Sequence, residues 1–217
     1  MITSFKEIEN FFTEIDISID DEIKFYIIGG AALLNRGMKA ATKDIDVIVK
    51  TRNEFLKIQN TLTKIGFKTT KPNKEYSRMN LSQIFQREDF RIDLFEKEVC
   101  GRFALSENMV LRAEKILALK KITVLLCSNE DIFLFKTMTE RDGDLDDCIS
   151  IASTQNPDWE VILKELKHQI SFSKQDVWIT WVGERLDLLV ERGLDIPIMS
   201  EIDILREKFF DDLEKKL

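Results

Sequence analysis

The chain has 217 residues, 44% of them hydrophobic, and a formal net charge of −7. This length and composition can supply a buried core for one domain with a smaller appendage, and they argue against a disordered chain. The acidic balance argues against a generally basic nucleic-acid-binding protein.

Several other classes of protein are excluded by the sequence. No apolar run approaches the roughly 18 to 20 residues that a membrane span needs, and the first ten residues lack the basic and apolar regions of a signal peptide. We therefore expect a cytoplasmic protein without membrane contact. Three widely spaced cysteines and a single histidine, His168, indicate neither a disulfide framework nor a zinc site. We expect the thiols of Cys100, Cys127 and Cys148 to be buried.

The first half of the chain alternates helix and strand patterns. Helices are predicted for "SFKEIENFFTEI", "AALLNRG" and "NEFLKIQNTLTKIG", and strands for "KFYII", "DIDVIVK", "FKTT", "LSQIFQ" and "FRIDLF". The last two strands are predicted to form a hairpin. The following segment, residues 102–128, is ambiguous between strands and a short helix.

The second half is predicted to be helical. Helical segments are "NEDIFLFKTMTERDGDLDDCISIAST", "DWEVILKELKHQI", "KQDVWITWVGERLDLLVERG" and "SEIDILREKFFDDLEKKL". We expect an α/β domain with a mixed sheet over residues 1–127 and a helical C-terminal domain over residues 128–217. Because no low-complexity linker separates them, we expect the halves to pack closely and to share a cleft.

Acidic side chains are the first chemical signal. In the strand "DIDVIVK", Asp44 and Asp46 lie on one face, about 6.5 Å apart along the strand. A divalent cation would offset the repulsion between them, and magnesium, which prefers oxygen ligands, is the natural candidate. An exposed strand edge is the alternative interpretation of this pair.

A third carboxylate, Asp93, lies in the middle of the apolar strand "FRIDLF". If that strand lies beside "DIDVIVK", the three aspartates can hold two metal ions about 4 Å apart, the arrangement used in phosphoryl transfer. A structural ion pair with Arg91 is the alternative.

A phosphate site is indicated by Gly29 and Gly30, which follow a strand and begin a helix. Such a turn lets backbone N–H groups approach a phosphate, although it is equally compatible with a plain tight turn. Positive charge is also concentrated between Arg36 and Lys74, which fits either a phosphate-attracting face or a solvated helix surface.

Together, the strand, Gly-Gly, helix, "TKDIDVIV" and "RIDLF" resemble the nucleotidyltransferase superfamily, which includes polymerase β-like enzymes. The resemblance is closest to the small prokaryotic nucleotidyltransferases, including those found in toxin–antitoxin and abortive-infection systems. The later segment "EDIFLFKTMTERDGDLDDC" is similar to the helical signature that follows the palm domain in that group. Many relatives carry an arginine just before the Thr-Lys-Asp segment, where this chain has Ala40 and Ala41, and Lys39 is the nearest cation.

The resemblance implies roles for individual residues. Asp44, Asp46 and Asp93 would be catalytic and would bind two Mg²⁺ ions, with Mn²⁺ as an alternative. The residues that the resemblance assigns to nucleotide binding are Gly29, Gly30, Lys43, Lys136 and Arg141. Alternative interpretations of the last two are a surface helix pair of Lys136 with Glu140, and an anchor between helix turns for Arg141 with Asp144 and Asp147.

The implied reaction moves a nucleoside monophosphate from a nucleoside triphosphate (NTP) to an acceptor and releases pyrophosphate. An RNA end, a protein hydroxyl and a small molecule are all suitable acceptors. The alternative is a noncatalytic module that binds a nucleotide or RNA in a toxin–antitoxin type of complex, with an antitoxin as partner.

Overall fold

A computed structural model describes residues 1–70, 83–99 and 102–215 of the chain. The chain divides into two compact units, Met1–Ser128 and Asn129–Leu217. The predicted class, an α/β fold with a mixed sheet followed by helices, is confirmed.

The first unit alternates helices and strands before it ends in a strand pair. Its elements among the described residues are α1 (Phe5–Ser18), β1 (Ile23–Ile28), α2 (Gly29–Asn35), β2 (Ile45–Val49), α3 (Arg52–Lys64), β3 (Lys68–Thr70), β4 (Gln83–Arg87), β5 (Phe90–Glu96), α4 (Glu107–Arg112), β6 (Glu114–Ala118) and β7 (Ile122–Leu126). The ambiguous segment before Ser128 therefore contains a short helix and two strands.

These strands form one mixed sheet of seven described strands, in the order β3-β4-β5-β2-β1-β7-β6. The β1–β7 and β2–β5 pairs are parallel and the other pairs are antiparallel. The predicted hairpin is present, since β4 and β5 pair through Arg87 and Phe90. Strand β2 is therefore central, with β5 on one side and β1 on the other.

Helix α1 covers the sheet with aromatic side chains. Phe11 lies 5.1 Å from Phe90 and 5.7 Å from Phe67, measured between ring centroids, and Phe12 lies 5.1 Å from Phe25. Buried aromatic side chains bring a large apolar area and favour tilted or edge contacts such as these. This packing anchors β1 and the start of β5, the two strands that flank β2.

The second unit consists of five described helices: α5 (Asn129–Thr137), α6 (Asp142–Gln155), α7 (Trp159–Ser173), α8 (Trp178–Glu191) and α9 (Met199–Glu214). Helix α5 packs against α6, α7 and α8, and α9 packs against α8. Among the residues that the structure describes, no helix has the length and apolar character of a membrane span.

One helical prediction was wrong. The segment "NEDIFLFKTMTERDGDLDDCISIAST" is two helices rather than one, because α5 ends at Thr137 and α6 begins at Asp142. In the segment between the two helices, Thr139 and Arg141 both donate hydrogen bonds to the Asp144 carboxylate. Those bonds to a buried acid favour the break over a continuous helix.

Candidate active site

The central strands bring two of the predicted aspartates side by side. In the parallel pairing of β2 with β5, Asp46 is the register partner of Asp93. Side chains at registered positions on neighbouring strands project from the same face of a sheet. Asp44 lies two residues before Asp46 and shares its face by strand alternation. The sequence could predict these faces, and the pairing of β2 with β5 supplies the adjacency.

The glycine turn lies directly against the "DID" segment. Ile28, the last residue of β1, is the register partner of Asp46, and Gly29 follows it with φ of +64°. A Cβ atom at Gly29 would lie only 2.2 Å from Asp46 Oδ2. Both the left-handed backbone and the contact with Asp46 therefore require glycine at this position.

Gly30 makes a similar contact with Thr42. A Cβ atom at Gly30 would lie 2.5 Å from Thr42 Oγ1, and that hydroxyl donates a hydrogen bond to the Asp44 carbonyl oxygen at 3.0 Å. Thr42 is buried. The turn that was predicted to approach a phosphate and the segment that was predicted to bind metal are thus in direct contact.

Arg91 pairs with Asp93 on the same strand face. Its Nε donates to Asp93 Oδ1 at 2.7 Å and its Nη2 donates to Asp93 Oδ2 at 2.6 Å, while Nε lies 3.9 Å from Asp44 Oδ2. The hydrogen bond to Asp93 raises the pKa of Arg91 above its ordinary value, and the charges of Asp93, Asp44 and Asp46 raise it further. The electrostatic influence of all three aspartates therefore reaches one guanidinium group.

The carboxylates suit a hard divalent cation by their chemistry, because such cations prefer several oxygen ligands. Within residues 1–70, 83–99 and 102–215, however, no three Asp, Glu, His or Cys side chains have the arrangement of a metal site. The bidentate contact of Arg91 with Asp93 gives a physical reason, since it supplies the positive charge that the buried acid needs. Metal binding by the three aspartates stays a prediction.

A second charged cluster lies inside the helical unit. Lys136 Nζ contacts Asp144 Oδ1 at 2.8 Å and Asp147 Oδ2 at 2.6 Å, and Arg141 Nε donates to Asp144 Oδ2 at 2.7 Å. The side chains of Lys136 and Asp144 are only 7% and 5% exposed. The central position of α5 explains this burial.

Burial and pairing act in opposite directions on this cluster. Burial alone would lower the pKa of Lys136, but the charges of Asp144 and Asp147 raise it above the ordinary value. For Asp144 the directions are reversed: burial alone would raise its pKa, but Lys136 and Arg141 lower it to about 2. Both groups are therefore held in their charged forms by each other.

A family model matches residues 3–181, from just before α1 into α8, and its description is a nucleotidyltransferase of unknown function (DUF6036). This chain belongs to that nucleotidyltransferase family. The superfamily that the sequence resembles is thereby confirmed. No curated protein matches the chain significantly.

Two solved structures of ANT(2'')-Ia are similar to this nucleotidyltransferase in fold. A solution structure of that antibiotic-resistance factor has a TM-score of 0.51 and 10% sequence identity, and the alignment covers 80% of this chain and 92% of that one. A crystal structure of ANT(2'')-Ia in complex with adenylyl-2''-tobramycin has a TM-score of 0.49 and 10% identity, with 78% and 97% of the chains covered.

The predicted nucleotide-binding residues fall into both units of the nucleotidyltransferase. Lys43 is exposed and immediately precedes Asp44. The surface pair of Lys136 with Glu140 was wrong, because α5 ends before Glu140 and Lys136 bonds to buried aspartates instead. The approach of Lys136 to the Gly29–Gly30 turn stays a prediction.

The basic stretch is less uniform than its composition indicates. Among its described cations, Lys50 pairs with Glu107, Arg52 with Glu96, and Lys57 with Asp21. Residues 71–82 and Cys100 lie outside the described residues, while Cys127 and Cys148 are buried as predicted. Burial raises the pKa of Cys148 to about 12, which makes a reactive thiolate unfavourable.

Thr42 and Arg91 belong to the candidate site, although the sequence analysis gave neither of them a functional role. Thr42 separates Gly30 from the Asp44 backbone, and its position just before "KDID" was the only sequence signal. Arg91 was considered solely as a structural partner of Asp93. Its position two residues before Asp93 in a strand already places both side chains on one face.

Proposed function

We propose that this nucleotidyltransferase moves a nucleoside monophosphate from an NTP to an acceptor, with release of pyrophosphate and with dependence on Mg²⁺. The observation that supports this best is the register of Asp46 with Asp93 on adjacent strands, directly beside the Gly29–Gly30 turn. Family membership supports the reaction class.

Each residue of the site has a proposed task. Asp44, Asp46 and Asp93 provide carboxylate oxygens for two Mg²⁺ or Mn²⁺ ions, which would stabilise charge on the attacking and leaving oxygens. Gly29 and Gly30 allow the triphosphate to approach the backbone because neither has a side chain. Lys43 and Arg141 are proposed to orient its phosphates by charge. Buried Lys136 is proposed to support Arg141 through Asp144, the acid that both contact.

The proposed chemistry is an in-line displacement at the α-phosphorus. The acceptor oxygen forms the new bond to phosphorus, and the bond from phosphorus to the bridging oxygen of pyrophosphate breaks. Asp93 accepts the proton of the acceptor hydroxyl once its carboxylate is released by Arg91. Asp44 and Asp46 would hold the metal ions throughout.

The experiment is a transfer assay with each of the four α-labelled NTPs and with Mg²⁺ or Mn²⁺. Three acceptor classes should be compared: total RNA, a protein lysate, and a panel of hydroxyl-bearing small molecules. We expect a labelled product and an equal amount of pyrophosphate with one class, and neither in the presence of chelator. Absence of transfer with all three classes would contradict catalysis.

A noncatalytic module is the second candidate, in which the chain binds a nucleotide or RNA in a toxin–antitoxin type of complex. It is favoured by the Arg91–Asp93 pair, which engages both oxygens of a carboxylate that catalysis needs. Ala40 and Ala41, where many relatives carry arginine, also favour it. Nucleotide binding without pyrophosphate release, measured by calorimetry beside the transfer assay, is the result that this candidate predicts.

A further inference from the structure

Arg91 lies beside Asp44 and Asp93, two of the aspartates that are proposed to bind divalent metal ions. We propose that Arg91 is a resident counter-ion of this site, which holds Asp93 until a divalent cation displaces it. The inference rests on the proposed function, because it concerns how the metal-binding site of that function is kept closed.

The contact geometry shows how firmly Asp93 is held. Nε and Nη2 of Arg91 each bond to a different oxygen of Asp93, at 2.7 and 2.6 Å. A bidentate, charge-assisted pair of this kind fixes the direction of the carboxylate as well as neutralising its charge. Both oxygens of Asp93 are therefore already engaged by one cation while this pair is intact.

Burial decides which partner moves. The Asp93 side chain is 4% exposed, whereas that of Arg91 is 25% exposed. A carboxylate in this position is costly without a nearby positive charge, so some cation must remain beside it in every state. The more exposed guanidinium can leave toward solvent, and the buried carboxylate stays on its strand.

Charge repulsion disfavours binding of a divalent ion while the Arg91 guanidinium lies beside the same aspartates. Arg91 Nε already lies 3.9 Å from Asp44 Oδ2, so it reaches toward a second proposed ligand as well. A divalent ion shared by these aspartates would be within a few ångströms of the guanidinium, where like charges repel strongly. Metal binding and the Arg91–Asp93 pair are thus competing states of one site.

This competition has a measurable consequence. In this proposal, the apparent affinity for metal is the intrinsic affinity multiplied by the fraction of molecules in which Asp93 is not paired with Arg91. Removing the guanidinium should therefore strengthen metal binding even though it destabilises the metal-free protein. A merely structural ion pair would give only the loss of stability.

The test is Mn²⁺ binding by full-length protein, measured as free Mn²⁺ by electron paramagnetic resonance, for wild type, Arg91→Met and Arg91→Lys. We expect Arg91→Met to bind Mn²⁺ about tenfold more tightly and to unfold at a lower temperature in chelator. Arg91→Lys keeps a charge without the bidentate contact, so it should fold well and bind Mn²⁺ with intermediate affinity.

Arg87→Met is the matched control. Arg87 lies on the neighbouring strand β4 and makes its own bidentate pair with Glu14, at 2.6 and 2.7 Å. Its loss should lower the unfolding temperature and leave Mn²⁺ affinity unchanged, because neither partner belongs to the carboxylate site.

The outcomes separate the two proposals. Unchanged or weaker Mn²⁺ binding in both Arg91 variants, with clear binding to wild type, would overturn the counter-ion role and leave the proposed function standing. Absence of Mn²⁺ binding in wild type and in every variant would overturn the metal site and the counter-ion role together.

Discussion

Two charged clusters, one in each unit, neutralise buried aspartates in different ways. In the first unit, Arg91 pairs with Asp93 and approaches Asp44, and both Arg91 and Asp44 keep about a quarter of their side chains exposed, 25% and 22%. In the second unit, Lys136 and Asp144 are almost fully enclosed, at 7% and 5%, although Arg141, which also pairs with Asp144, is 49% exposed. We expect Arg91 to be exchangeable for an ion from solution, whereas Lys136 cannot leave its aspartates without disturbing the core.

The comparison therefore predicts that the charges of the first cluster serve the proposed chemistry and that the buried charges of the second serve stability. We expect substitutions in the first cluster to change metal binding and turnover before they change folding. Substitutions in the second cluster should change folding first. The predictions below test this separation, beginning with the largest effect.

Lys136→Met should give the largest loss of stability. It leaves the buried carboxylates of Asp144 and Asp147 without their shared ammonium group. Breaking a buried ion pair by removing one partner typically costs about 3–5 kcal/mol of unfolding free energy. Urea unfolding at neutral pH measures this loss.

Lys6→Met is the control for that prediction, because Lys6 pairs with Glu9 on the surface with its side chain 73% exposed. Its effect should stay below about 0.5 kcal/mol, as for most surface pairs. If Lys136→Met proved equally mild and only weakened NTP binding, the cluster would be a phosphate site rather than a structural one.

Gly29→Ala should disturb the first cluster through sterics alone. The new Cβ would lie 2.2 Å from Asp46 Oδ2 at a residue with φ of +64°. We expect a loss of about 2–3 kcal/mol, of which the left-handed backbone accounts for about 1 kcal/mol. The unfolding temperature and the rate of pyrophosphate release should both fall.

Gly37→Ala isolates the backbone contribution to the Gly29 result. Gly37 has φ of +72°, and an added Cβ would meet no atom within 4 Å among the described residues. It should lose only about 1 kcal/mol and keep its turnover. Equal losses in the two variants would mean that the contact of Gly29 with Asp46 has no energetic importance.

Acid should weaken the second cluster in a defined range of pH. Although burial opposes ionisation, Lys136 and Arg141 lower the pKa of Asp144 from 3.8 to about 2. Because the folded pKa is the lower one, the contribution is complete above the unfolded value of 3.8 and is lost as pH falls toward 2. By linkage it amounts to about 2 kcal/mol.

Urea unfolding of wild type and Asp144→Asn between pH 2 and pH 6 measures this contribution. The difference in unfolding free energy between the two proteins should shrink steadily below the unfolded pKa of 3.8. A difference that stays constant across this range would show that ionisation of Asp144 does not contribute to stability.

The sequence predicted much of the first unit because its signals are local. Strand alternation placed Asp44 and Asp46 on one face, and the glycine turn was visible as two residues after an apolar run. The adjacency of Asp93 depends on the pairing of β2 with β5, which joins segments more than 40 residues apart and has no local signal.

The second unit was harder to predict for a related reason. Helical periodicity continued across residues 138–141, so a single helix was predicted where there are two. The break is stabilised by bonds from Thr139 and Arg141 to Asp144, and by the burial of Lys136 in the centre of the helices. Neither contact can be inferred from the spacing of apolar residues.

The most direct test of the account is Mg²⁺-dependent pyrophosphate release, measured beside unfolding in chelator, for Asp46→Asn and Asp144→Asn. Asp46→Asn should lower turnover at least about a hundredfold while leaving metal-free stability unchanged or slightly raised, because it removes a proposed ligand and relieves carboxylate repulsion. Asp144→Asn should lower stability as its main effect. Turnover like wild type in Asp46→Asn, or a large loss of its metal-free stability, would contradict the assignment of the first cluster to catalysis.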